Sequence, residues 1–161
     1  MYSIAPAATR PASGNAASPR DREAPPFQYT AHSAGQATQT RYVPLMIDRD
    51  FSQAERQRIV AAVRQWNYVL NGFIRFEARL LPDDPSREEL AQVRRNGGWV
   101  VAKVDSRHPV AQKGEGTNAL AVTITGGRNG GFVYVIGDRI GGRDLTGVIM
   151  HEFGHVLGAG H

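Results

Sequence analysis

The chain has 161 residues, 41% of them apolar, which suffices for one domain of ordinary size plus a tail and leaves little room for a second core. It has no cysteine, which excludes disulfide staples, Cys₂His₂-type zinc sites and latency through a cysteine ligand. The net charge of +4 is spread along the chain with no run of five basic residues, and no apolar run approaches the roughly 20 residues of a membrane span, so neither nucleic acid nor membrane is an expected partner.

Residues 1–40 are rich in Ala, Pro, Ser, Thr, Gln and Gly and poor in large apolar side chains, a composition that predicts a disordered tail or linker, with His32 exposed. The start, Met1-Tyr2-Ser3-Ile4-Ala5-Pro6, has neither a basic region nor an apolar core, so no secretory signal is visible. Tyr42–Ile47 reads as a strand, with Pro44 favouring an edge, a strand start or a bulge. Ser52-Gln53-Ala54-Glu55 spells a capping box, and Ile59, Val63, Trp66 and Leu70 follow at helical spacing until Asn71-Gly72 stops the helix.

Phe73–Ala78 alternates Ile74 and Phe76 against Arg75 and Glu77, as a half-buried strand at a sheet edge does. Pro82-Asp83-Asp84-Pro85 breaks the chain; turn chemistry explains its two aspartates more simply than a calcium site. Ser86–Arg95 predicts a short helix with Leu90 and Val93 inward, ended by Asn96-Gly97-Gly98. Trp99–Val104 is almost wholly apolar, which predicts a strand covered on both faces, and His108 before Pro109 reads as a loop residue.

Ala119–Ile124 predicts an edge strand whose Leu120, Val122 and Ile124 pack while Ala121 and Thr123 form a small, open face. The glycine-rich Gly126–Gly131 segment holds Asn129-Gly130, a hairpin signal, and Phe132–Ile136 is the returning apolar strand. A phosphate loop is excluded there, because the segment lacks the Lys-Ser/Thr ending and leads into a strand. Gly137-Asp138 and Gly141-Gly142 predict turns, and Asp144 caps a last helix. The sum is an α/β (α+β) domain: a mixed, twisted sheet of about five strands, two main helices, and the second of these at the carboxy terminus.

That last helix carries the chemistry. Residues 151–161 read His-Glu-Phe-Gly-His-Val-Leu-Gly-Ala-Gly-His. Spaced four apart, His151 and His155 project from one helix face, with Cβ atoms about 5–6 Å apart, close enough to share a metal ion. Glu152 stands beside the first ligand, where its carboxylate can serve a water as general base. Gly158 ends the helix and turns the chain so that His161 supplies a third ligand. Three imidazoles leave the fourth tetrahedral position of Zn²⁺ open, as catalysis requires, and no fourth ligand stands beside them to close a structural site.

This segment resembles the zinc-binding signature of the metzincin metallopeptidases, and His-Glu-Phe-Gly-His-Val-Leu-Gly is most similar to the matrixin branch. The resemblance covers residues 41–161 and implies the upper catalytic subdomain of a zinc-dependent endopeptidase acting on peptides or proteins, with His151, His155 and His161 on zinc and Glu152 as base. The methionine-bearing turn that follows in that family would lie beyond His161, and Met150 does not fill its place. The resemblance therefore implies either a piece cut at the third ligand or a truncated relative, and the alternative function is a zinc- or peptide-binding pseudoprotease. It also places Pro19-Arg20-Asp21 where such zymogens carry their inhibitory switch, and Asp138 in a loop that holds calcium in matrixins. An ordinary charged linker and a turn are the simpler accounts of these two.

Overall fold

A computed structural model describes residues 40–112, 118–126 and 130–160. The expected tail over residues 1–40, with Pro19-Arg20-Asp21 and His32, lies outside the described residues apart from Thr40, as do Asn129 and the third histidine, His161.

The extended segment Arg41–Ile47 (β1) alternates solvent-facing residues with Val43, Leu45 and Ile47, which are buried. The capping box forms as spelled. Ser52 accepts from the Glu55 N–H and the Glu55 carboxylate accepts from the Ser52 N–H, and the helix Gln53–Val69 (α1) follows. Asn71 at φ 46° and Gly72 at φ 84° then reverse the chain into Ile74–Leu80 (β2). This strand runs parallel to β1 over seven pairs, from Arg41↔Ile74 to Ile47↔Leu80. Asn67 of α1 locks the unit by donating to the Phe76 carbonyl and accepting from its N–H, so β1, α1 and β2 form one crossover.

A second Ser-x-x-Glu box, Ser86 with Glu89, starts Arg87–Arg95 (α2). Next come Trp99–Val104 (β3), the single-turn Pro109–Gln112 (α3), Ala121–Thr125 (β4), Gly131–Ile136 (β5), the single-turn Gly137–Ile140 (α4) and Leu145–Val156 (α5). The five strands make one sheet in the order β2-β1-β3-β5-β4, parallel except for β4, which pairs antiparallel with β5. This is the expected mixed α/β domain. The edges expected for β2 and β4 are edges, β2 on one side and β4 on the other. Pro44, however, marks neither an edge, a strand start nor a bulge: it stands in mid-strand in β1, between β2 and β3, with its register unbroken, and it is accommodated because β3 pairs with β1 only from Leu45 onward. Among the described residues no helix is long and apolar enough to cross a membrane.

Helices α1 and α5 pack on one sheet face and on each other. Ile59, Ala62 and Val63 from α1 and Leu145, Ile149 and Phe153 from α5 join Val43, Leu45, Ile47, Phe76, Val101, Val133 and Val135 in the core. Two ties fix α5: the Trp66 indole of α1 donates to the Met150 carbonyl at 3.0 Å, and Phe153 stacks on Phe76 of β2 at 5.2 Å between ring centres.

Four other local expectations need correction. β3 is covered on both faces only over Trp99–Val101, and Ala102, Lys103 and Val104 are half-buried. The reason is that α2 is short: it reaches the first part of the opposite face, where Arg94 lies over the Phe132 ring. For the same reason no residue of α2 is buried, and Leu90 and Val93 are only partly covered. Gly137-Asp138 begins a helical turn, α4, in place of an open turn. On β4 the predicted faces exchange roles. Ala121 is in the core and Thr123 faces α5, while Ile124 is 43% exposed. The small face is the packed one, since only short side chains let α5 approach the strand this closely.

Candidate metal centre

Helix α5 is placed by its apolar stripe. Leu145, Ile149 and Phe153 recur every four residues and are buried, so His151 and His155 fall on a different face, toward the cleft beside β4. Asp144 caps the helix as its sequence position predicts, its carboxylate accepting from the Thr146 N–H at 3.0 Å.

The carboxy-terminal end is built by Gly158. Its φ of 98° belongs to the left-handed region that a residue without Cβ adopts at little cost. With that turn the Gly158 N–H donates to the His155 carbonyl and the Ala159 N–H to the Gly154 carbonyl, closing a Schellman motif. The reversal also delivers the Ala159 carbonyl to the His155 ring, 2.8 Å from Nδ1. A carbonyl only accepts, so Nδ1 carries a proton, and the neutral ring with that tautomer presents its lone pair at Nε2, the form that binds a metal.

The two imidazoles converge through these nitrogens. Nε2 of His151 and Nε2 of His155 are 3.2 Å apart, with the rings nearly perpendicular at 86°. Two nitrogens on one tetrahedral Zn²⁺, each at about 2.0–2.1 Å, are about 3.3–3.4 Å apart, so the pair present fits the group. Among the described residues no set of three His, Asp or Glu side chains converges, and His161 is not among them.

Glu152 is the buried acid of the site, 6% exposed. Its Oε2 accepts from the Thr123 hydroxyl at 2.6 Å, a short, charge-assisted hydrogen bond from the middle of β4. His151, Glu152 and His155 share with β4 a cleft of about 1030 Å³ whose other described lining residues are uncharged. The edge expectation for residues 119–124 therefore holds in both parts, since the segment is at the sheet edge and lines the cleft with His151.

The main-chain groups of β4 can be assigned. The Ile136 N–H donates to Leu120 O and the Gly126 N–H to Gly130 O, and both pairs fit the β4–β5 register. Leu120, Val122, Ile124 and Gly126 thus point their peptide groups at β5, and Ala121, Thr123 and Thr125 point theirs to the open side, above the cleft.

The candidate calcium residues are occupied locally. Asp83 pairs with the Arg49 guanidinium at 3.0 Å, and Asp84 sits at φ 50° in its turn. Hydrogen bonds from Ser106 hold the Asp138 carboxyl below the usual carboxylate range, with burial opposing them. Thr123 is the site residue that sequence reading missed. Its signal was the small-residue alternation Ala121, Thr123, Thr125, which marks the strand face nearest a helix. No protein-family model, curated protein or solved structure matches the chain.

Proposed function

We propose that this chain is the zinc-binding, water-activating part of a metalloendopeptidase. One observation carries the reading: two imidazole Nε2 atoms converge to 3.2 Å beside a buried glutamate, in a cleft bordered by a strand edge that pairs with no other strand among the described residues. His151 and His155 would hold zinc, and the metzincin-like spacing of the sequence adds His161. When bound, zinc supplies a Lewis acid and lowers the pKa of water toward about 7.

The chain's own residues do the rest. The outward peptide groups of Ala121, Thr123 and Thr125 pair with an extended peptide and set its scissile carbonyl over the cleft. Glu152, within that cleft, takes a proton from the attacking water as the water oxygen bonds to the carbonyl carbon. It then returns this proton to the amine nitrogen as the C–N bond breaks, leaving a carboxylic acid and an amine, and transfer of the remaining hydroxyl proton gives the carboxylate and the ammonium product. The uncharged lining of the cleft favours peptide segments with small or apolar side chains over charged ones.

Glu152→Gln tests the reading. The amide keeps the size and the hydrogen bond to Thr123 but cannot accept the proton. Zinc content should stay at the wild-type value while hydrolysis of dye-labelled unfolded casein falls by about 10²–10⁴. Equal rates in the two proteins would remove Glu152 as the base, and zinc held by a wild type that cleaves nothing would replace the enzyme by a zinc-binding module.

A further inference from the structure

We propose that Thr123 is a positioning residue for Glu152, a role that rests on the hydrolytic reading above. The Thr123 hydroxyl has one proton, and two acceptors lie near it: Glu152 Oε2 at 2.6 Å and the Glu152 carbonyl at 3.4 Å. The carboxylate is much the nearer, and it receives the bond. One carboxylate oxygen is thereby taken, rotation of the group is fixed, and Oε1 is left as the oxygen that meets water. A glutamate that can turn about its terminal torsion has two equivalent oxygens and a broad torsional well; a bond to one of them selects a single orientation.

The support for this hydroxyl is rigid. Thr123 is β-branched, so its χ1 is restricted, and it sits in mid-strand opposite Val133, which is wholly buried. It also has a second attachment to the reaction. Its side chain holds the base, and its own peptide groups face the open edge where substrate pairs. One residue of one strand thus sets both the register of the peptide and the orientation of the carboxylate that serves it. Neither setting depends on a loop.

Thr123→Val keeps the shape and removes the donor, and Thr123→Ser keeps the donor with one methyl fewer. On a fluorogenic peptide of Ala, Gly and Leu, Thr123→Val should lower kcat by about 10- to 100-fold with KM within about twofold of wild type and zinc content unchanged. Thr123→Ser should recover most of kcat. Unfolding supplies a second readout, independent of turnover. With Glu152 present the valine should lower the midpoint by about 2–4 °C, and in a Glu152→Ala background the same change should have no effect.

A valine variant with wild-type kcat overturns the role of Thr123. So does a loss that appears in KM alone, a loss that serine does not recover, or an unfolding effect that persists without Glu152. A wild type that cleaves neither this peptide nor unfolded casein is a different failure: it removes the hydrolytic reading, and the positioning role with it.

Discussion

The sheet has two edges, and they are made differently. On β2 the residues Arg75, Glu77 and Arg79 place charge along the strand, Arg79 pairs with Glu77, and Leu80 is exposed at the end. On β4 the run Ala-Val-Thr-Ile-Thr holds no charge. Charges along an edge discourage other strands from adding to it, because pairing would desolvate them. An uncharged antiparallel edge invites a partner, and this one borders the cleft that contains His151, Glu152 and His155. Exposed peptide groups alone do not distinguish the two edges; what differs is the charge along β2 and, beside β4, the cleft with its two histidines and buried glutamate.

Removing the chemistry from the β4 side should have the largest effect. The wild type should retain about one zinc per chain after dialysis, and His155→Ala should retain almost none, since one imidazole of a facing pair is lost along with the geometry. Metal analysis of both proteins decides this. Equal zinc content would leave the two edges distinguished by charge alone.

The next test acts on the edges themselves. At Thr125 a proline removes a peptide N–H that points away from β5, so no ladder bond is lost, and the residue is exposed. Thr125→Pro should raise KM for the Ala/Gly/Leu peptide by about 5- to 10-fold, the worth of about one main-chain hydrogen bond, with the unfolding midpoint within about 2 °C of wild type. Replacing charge on the other edge, as in Glu77→Thr, should leave KM where it was. If both variants change KM equally, β4 is not the strand that receives substrate. Ala121→Pro would act on the same kind of N–H, but Ala121 is in the core and its variant mixes packing with pairing.

Much of this contrast was legible in the sequence, and the limits have physical causes. The Ser52-to-Glu55 box, the Asn71-Gly72 stop and the Gly158 turn are local devices whose geometry follows from neighbouring residues, and each appears where its spelling places it. Alternation along β2 and β4 reports a strand face left partly open and does not by itself mark an edge, since the central β1 alternates as well. What sequence did not yield depends on partners distant in the chain. Which face of β4 packs is decided by α5, about 29 residues later, and β-branched Val122 and Ile124 looked like the core face because they are the more apolar. The partial cover of β3 depends on how far α2 reaches, which periodicity does not encode. The convergence of two histidines at i and i+4 was readable, whereas the tautomer of His155 depends on a carbonyl that only the folded Gly158 turn brings to it.

The smallest expected effect concerns the scaffold between the two edges and asks whether an ion pair there is structural. Lys103 of β3 donates to the Glu55 carboxylate at 2.9 Å, with both side chains nearly three-quarters covered. Burial pushes the Glu55 carboxyl upward, but the hydrogen bonds and charge of Lys103, with those of Ser52, outweigh it, so the group lies below its ordinary value of 4.5. A carboxyl depressed in the folded state adds stability that is fully present above the unfolded value and is lost as pH falls through the folded one. Wild type should therefore be more stable than Glu55→Gln at pH 7 by about 1 kcal/mol or less, because the pair is partly hydrated and screened. The difference should shrink below about pH 4.5 and vanish at lower pH. Denaturant unfolding of both proteins from pH 7 to pH 3 measures it. A difference that stays constant across that range would assign the effect of Glu55 to capping and packing, with the charge of Lys103 contributing nothing measurable.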